Sequence, residues 1–131
     1  MSDDLAARQS VQETDRARPK IEFLFWEDCP SHPGAYRLLQ EVMGELGLET
    51  PIERIEVLTD DDARRLSFPG SPTIRVDGSD IDPAGAAQMG TALTCRIYRL
   101  EDGRISPLPS KAMIRQALAG KRSKNGPTRD L

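Results

Sequence analysis

The chain has 131 residues, 37% of them apolar, and a formal charge of −3, which is enough for one compact core but not two. Residues 19–119 carry 11 Lys or Arg against 16 Asp or Glu, and so acidic a body argues against a nucleic-acid partner, whose phosphates call for clustered Lys and Arg. No stretch approaches the roughly 18 consecutive apolar residues of a membrane span, and the N-terminal segment is too polar and acidic for a secretory signal, so a cytoplasmic protein with no membrane partner is expected.

Residues 1–18 mix Ser, Gln, Glu, Asp and Arg with few large apolar side chains and read as a flexible arm, with a weak helix over residues 5–13 as its one structured alternative. The first strong segment is Ile21-Glu22-Phe23-Leu24-Phe25-Trp26, short and almost wholly apolar, as expected of a central strand buried on both faces. It runs into Glu27-Asp28-Cys29-Pro30-Ser31-His32-Pro33, where two prolines stop the strand and favour a turn into a helix. Over residues 34–46, Tyr36, Leu39, Met43 and Leu46 recur at helical spacing, and Gly47 supplies the stop.

Ile52, Ile55, Val57 and Leu58 predict a second strand, nearer a sheet edge because its neighbours are polar. The crossover through the first helix predicts that it lies parallel to the first strand. Thr59 or Asp60 caps a short helix reaching about Leu66, its three consecutive Asp residues serving the helix dipole. Thr73-Ile74-Arg75-Val76 is a third strand, turned at Asp77-Gly78 into a short fourth over residues 79–82. Residues 83–93 are small and glycine-rich and read as a loop with at most one helical turn. Residues 95–100 predict a further strand, and Pro109-Ser110 opens a helix over residues 111–119 that ends at Gly120. The domain therefore spans residues 19–120, followed by a flexible basic tail, 121–131.

This order, with Cys29 where the first strand meets the first helix and Phe68-Pro69-Gly70-Ser71-Pro72-Thr73-Ile74 opening the third strand, resembles the thioredoxin-like superfamily over about residues 20–119. The resemblance implies an α/β fold with a central mixed sheet of four or five strands flanked by helices, and a cis-proline at Pro72. It also implies that Ser71, Pro72 and Thr73 form a substrate-binding edge beside the cysteine, used by strand addition. More narrowly, Cys29-Pro30-Ser31-His32-Pro33-Gly34, residues 70–78 and Cys95-Arg96-Ile97-Tyr98 are similar to small bacterial thioredoxin-like proteins sometimes labelled alkylmercury lyase-like, a label that implies two thiolates around a soft metal.

The chain departs from the dithiol pattern because His32 stands where a Cys-x-x-Cys motif has its second thiol, so exchange confined to that motif is impossible. Two cysteines in a cytoplasmic protein read as reactive or simply buried, not as a permanent staple. Cys29, just before a helix N-terminus, is a candidate nucleophile that the helix dipole favours and Glu27 and Asp28 oppose. On this reading it alkylates faster than Cys95. His32 is its candidate base or cation.

Cys95 has two open placements. Either the loop after the Asp77-Gly78 hairpin delivers it beside Cys29, or it starts a strand at the far end of the sheet as a small buried apolar residue. Asp60-Asp61-Asp62 reads as a solvated cap and residues 77–82 lack the ligands of a calcium loop. Three functional classes follow: a monothiol or split-dithiol redox protein using Cys29, with Cys95 as resolving thiol, on a thiol or disulfide substrate, protein or small molecule; a soft-metal or organomercurial binder using Cys29, Cys95 and His32; and a non-catalytic binding module using only the proline edge. No cofactor is expected.

Overall fold

The structure, a computed structural model, describes residues 19–125; the expected N-terminal arm, its weak helix and the end of the basic tail lie outside the described residues. Strand β1 (Ile21–Phe25) is followed by helix α1 (His32–Glu45), β2 (Ile52–Glu56), α2 (Asp60–Arg65), β3 (Thr73–Val76) and β4 (Ser79–Asp80). Helix α3 (Pro83–Met89), the short strands β5 (Tyr98–Arg99) and β6 (Ile105–Ser106), and helix α4 (Lys111–Asn125) complete the order. The main sheet has four strands in the order β2-β1-β3-β4, and β5 and β6 form a separate two-stranded sheet. The chain is thus an α/β protein with a mixed sheet, β1 running parallel to β2 and antiparallel to β3.

Alternation along β1 builds two apolar layers. Ile21, Phe23 and Phe25 face α1 and α4, packing with Leu39, Val42, Ile74, Ile114 and Leu118, while Leu24 turns to the other face against Val57, Ala63 and Phe68. As expected, β1 is central and β2 an edge strand, with Glu53, Arg54 and Glu56 exposed.

Local signals account for most element ends. Thr59 caps α2 by accepting a hydrogen bond from the Asp62 amide at 3.0 Å. Helix α1 ends in a Schellman motif, the amides of Leu48 and Gly47 donating to the carbonyls of Met43 and Gly44 at 2.9 and 3.2 Å, with Gly47 at φ +70°. Asp77 and Gly78 both have positive φ, as a tight hairpin turn between β3 and β4 requires.

Three expectations need correction. Residues 83–89 form a helix instead of a loop, started by the Asp82 carboxylate, which accepts from the Gly85 amide at 3.2 Å, with Pro83 in the first turn. The strand expected over residues 95–100 shrinks to Tyr98–Arg99, because Cys95 pairs with Ser71 in an isolated bridge instead of with β6. Helix α4 passes through Gly120 to Asn125, since a helix tolerates an interior glycine at a cost of about 1 kcal/mol. Among the described residues no helix is long and apolar enough to cross a membrane.

Candidate functional site

The backbone leaving β1 turns sharply at Trp26, whose carbonyl accepts from the Cys29 amide at 3.0 Å and whose own amide donates to Ser71 Oγ at 3.0 Å. The turn therefore hangs on Ser71. It sets Cys29 inside the protein, 1% exposed, with Sγ donating to the Ser71 carbonyl at 3.4 Å. The Ser71-Pro72 bond is cis, as expected.

Cys95 reaches the same place from the other side. The Ser71 amide donates to the Thr94 carbonyl and the Arg96 amide donates to the Ser71 carbonyl, both at 2.8 Å, so residues 94–96 lie parallel to Ser71 as a one-residue strand. This sets Cys95 beside Cys29, whose own thiol bonds the same Ser71 carbonyl, near enough for each thiol to affect the other's titration. Of the two placements left open by the sequence, Cys95 takes the one beside Cys29, and it is exposed, not buried. Its sulfur is nevertheless partly desolvated, and this together with the neighbouring Cys29 pushes the thiol above its ordinary value of 9.0.

The sequence puts the faster alkylation at Cys29, whereas the burial of the two residues favours Cys95. Cys29 lies under the Ser71 turn and Cys95 on the surface, so reagents meet Cys95 first.

The remaining site residues expected from the sequence are also placed differently. His32 opens α1 as a buried side chain, its ring on Phe25 at 4.8 Å between centroids and Nε2 3.8 Å from Glu27 Oε1. Nδ1 has no hydrogen-bond partner, and among the described residues the Cys29 thiol bonds Ser71 and not the imidazole. Among the described residues no group of three or more His, Cys, Asp or Glu could hold a metal, so His32 does not complete a ligand set with the two thiols. Ser71, Pro72 and Thr73 are buried. The chain's own residues 94–96 use both backbone groups of Ser71, which closes the expected substrate edge.

A second group of residues, missed in the sequence, holds residues 94–96 in position. Arg96 is wholly buried, its guanidinium donating to both carboxylate oxygens of Asp80 at 2.7 Å and to Thr73 Oγ1 at 3.0 Å. It lies over the Tyr98 ring at 4.3 Å, and the Tyr98 hydroxyl donates to the Pro72 carbonyl at 2.5 Å. Burial opposes the Arg96 charge, but the Asp80 hydrogen bonds, with further help from the surrounding groups, hold its pKa above the ordinary value. Burial also pushes the Tyr98 phenol well up, so it remains a donor to Pro72. An arginine in a strand-like run reads as exposed, and the one available signal was the acid pair Asp80 and Asp82 on the preceding hairpin.

Gly70 fixes the spacing between the two segments. Its φ is +124°, and a Cβ there would lie 3.0 Å from Arg96 Cβ and 3.1 Å from Arg96 Cα, so any side chain meets backbone that has to move. Gly70→Ala is expected to cost about 1–3 kcal/mol through backbone strain and this clash, read as a lowered urea midpoint at unchanged m value. An unchanged midpoint would show that residues 94–96 yield freely.

Comparison of the chain with protein-family models, curated proteins and solved structures finds no match.

Proposed function

We propose that the chain is a thioredoxin-like thiol protein whose Cys29 and Cys95 act together as a split dithiol in thiol–disulfide exchange. The observation that carries this reading is that both cysteines contact Ser71, Cys29 through its thiol and Cys95 through its backbone bridge. Two sulfurs held side by side supply what the missing Cys-x-x-Cys lacks, since either can displace a partner from a mixed disulfide on the other. In the net reaction the two protein thiols are oxidised to one disulfide, and a partner disulfide is reduced to two thiols. The thioredoxin-like assignment is supported by the strand order β2-β1-β3-β4 with β1 and β2 parallel, and by the cysteine between β1 and α1.

Mild oxidation of the reduced protein is expected to remove both free thiols together and to yield a single Cys29–Cys95 crosslinked peptide on mapping by mass spectrometry. Persistence of both thiols, or crosslinking only between two chains, would sink the split-dithiol reading.

The same arrangement favours one second reading, a soft cation held between two thiolates. It predicts release of both thiol protons on titration with a mercurial, with Cys29→Ser and Cys95→Ser each losing tight binding. A pure binding module on the proline edge has less support, because residues 94–96 already occupy that edge.

A further inference from the structure

The arrangement around Ser71 specifies more than the identity of the thiols. An extended polypeptide that added itself to the sheet at Ser71 would need the Ser71 amide and carbonyl, and both are committed to Thr94 and Arg96 at 2.8 Å. Displacing them would also pull on Arg96, which is anchored by Asp80 and Thr73. Nor can a partner approach Cys29 directly, since that residue is 1% exposed and its thiol is turned to the Ser71 carbonyl. The exposed sulfur is Cys95. Residues 94–96 thus occupy the position of a bound strand, with Cys95 where a strand's own cysteine would meet Cys29.

We propose that the site takes low-molecular-weight disulfides and not extended polypeptides, with Cys95 as the thiol that receives the substrate and Cys29 as the thiol that closes the reaction. This rests on the split-dithiol reading and gives it a substrate class and an order. The Cys95 thiol loses its proton to solvent and attacks one sulfur of a small disulfide R–S–S–R. A Cys95–S–S–R bond forms, and R–S⁻ leaves and takes up a proton. Cys29 then attacks the Cys95 sulfur, forming the Cys29–Cys95 disulfide, and its proton passes to the departing sulfur, which leaves as the second R–SH. Two protein thiols are oxidised and one small disulfide is reduced, with no further reagent. Since Cys29 and Cys95 both meet Ser71, the second step follows once the mixed disulfide turns its R–S group away from Cys29.

The test uses the full reduced chain and its Cys29→Ser and Cys95→Ser variants, each first shown by circular dichroism and melting to be folded. Each is mixed with bis(2-hydroxyethyl) disulfide and, separately, with an extended peptide dimerised through one cysteine, and adducts are followed by mass spectrometry. Cys29→Ser is expected to take up one hydroxyethylthio group at close to the wild-type initial rate and to stall there. Cys95→Ser should react slower by about tenfold or more, at a rate set by opening of the protein around Cys29. The wild type should pass to the crosslinked form, and should prefer the small disulfide over the peptide dimer by about tenfold or more beyond their ratio with free cysteine as the attacking thiol.

Equal rates for the two variants, or a faster Cys95→Ser, would overturn the order. Equal preference for the peptide dimer would overturn the substrate class. In either case formation of the crosslink in the wild type would leave the split dithiol standing, whereas failure of the wild type to form it at all would remove both.

Discussion

The oxidised chain is expected to melt on the order of 20 °C above the reduced chain. A Cys29–Cys95 bridge would tie the turn after β1 to the segment before β5 and enclose most of the core elements from α1 to α3. Closing so long a loop in the unfolded chain removes conformational entropy, an effect of about 4 kcal/mol in the chain-entropy account. For a domain of this size each kcal/mol moves the melting temperature by about 4–8 °C. Little native rearrangement opposes this, because both cysteines already meet at Ser71. Scanning calorimetry with and without reductant, with Cys95→Ser as the control that should show no difference, measures it. If oxidation left the melting temperature unchanged or lowered it, closing the bridge must distort residues 94–96, and the pair would be poorly placed as a dithiol.

The second large effect is expected from Asp80→Ala. Asp80 receives two charge-assisted hydrogen bonds from Arg96, each at 2.7 Å, and Arg96 is 0% exposed. Removing the carboxylate leaves a buried guanidinium with only Thr73 Oγ1 and the Asp82 carbonyl as partners. Breaking a buried pair from one side costs about 3–5 kcal/mol, mostly the penalty of an uncompensated charge. Chemical denaturation should show a fall of that size, and the crosslinking rate should drop with it, because the Arg96 amide that pairs with Ser71 belongs to the residue being released. Asp61→Ala is the matched comparison: Asp61 pairs with Arg64 on the exposed surface of α2, and such pairs contribute about 0–1 kcal/mol. Equal, small losses for the two variants would show that Arg96 swings out to water at little cost and does not hold Cys95 in place.

These expectations depend on contacts of very different origin from those that set the helices and strands. Thr59 caps α2 through the amide three residues on, Gly47 and Leu48 close α1 with bonds three and five positions back, and Asp77-Gly78 turns the hairpin alone. Each is decided within a few residues, by side-chain chemistry or backbone freedom, so each was legible as sequence. The burial of β1 on both faces was legible for a similar reason, since only Glu22 breaks its aromatic and aliphatic run. Helix α3 was the local miss: its Pro-Ala-Gly-Ala-Ala-Gln-Met run has no apolar stripe, and only the Asp82-Pro83 start announces it.

The site belongs to the other category. The sequence by itself determined that Cys29 lies between β1 and α1, that Ser71-Pro72 immediately precedes β3 and that no second cysteine follows Cys29 in its own motif. Only the tertiary structure decided that residues 94–96 pair with Ser71 and bring the second thiol back, because that bridge joins segments distant in the chain and no local preference encodes it. It likewise decided that His32 packs on Phe25, since an imidazole at the start of a helix can turn outward or inward and only the packing around it chooses. Above all it decided the fate of Arg96. A charged side chain reads as solvent-facing until its counter-ion is known, and the counter-ion here is supplied by β4, on a hairpin that only the folded sheet places against Cys95's own segment.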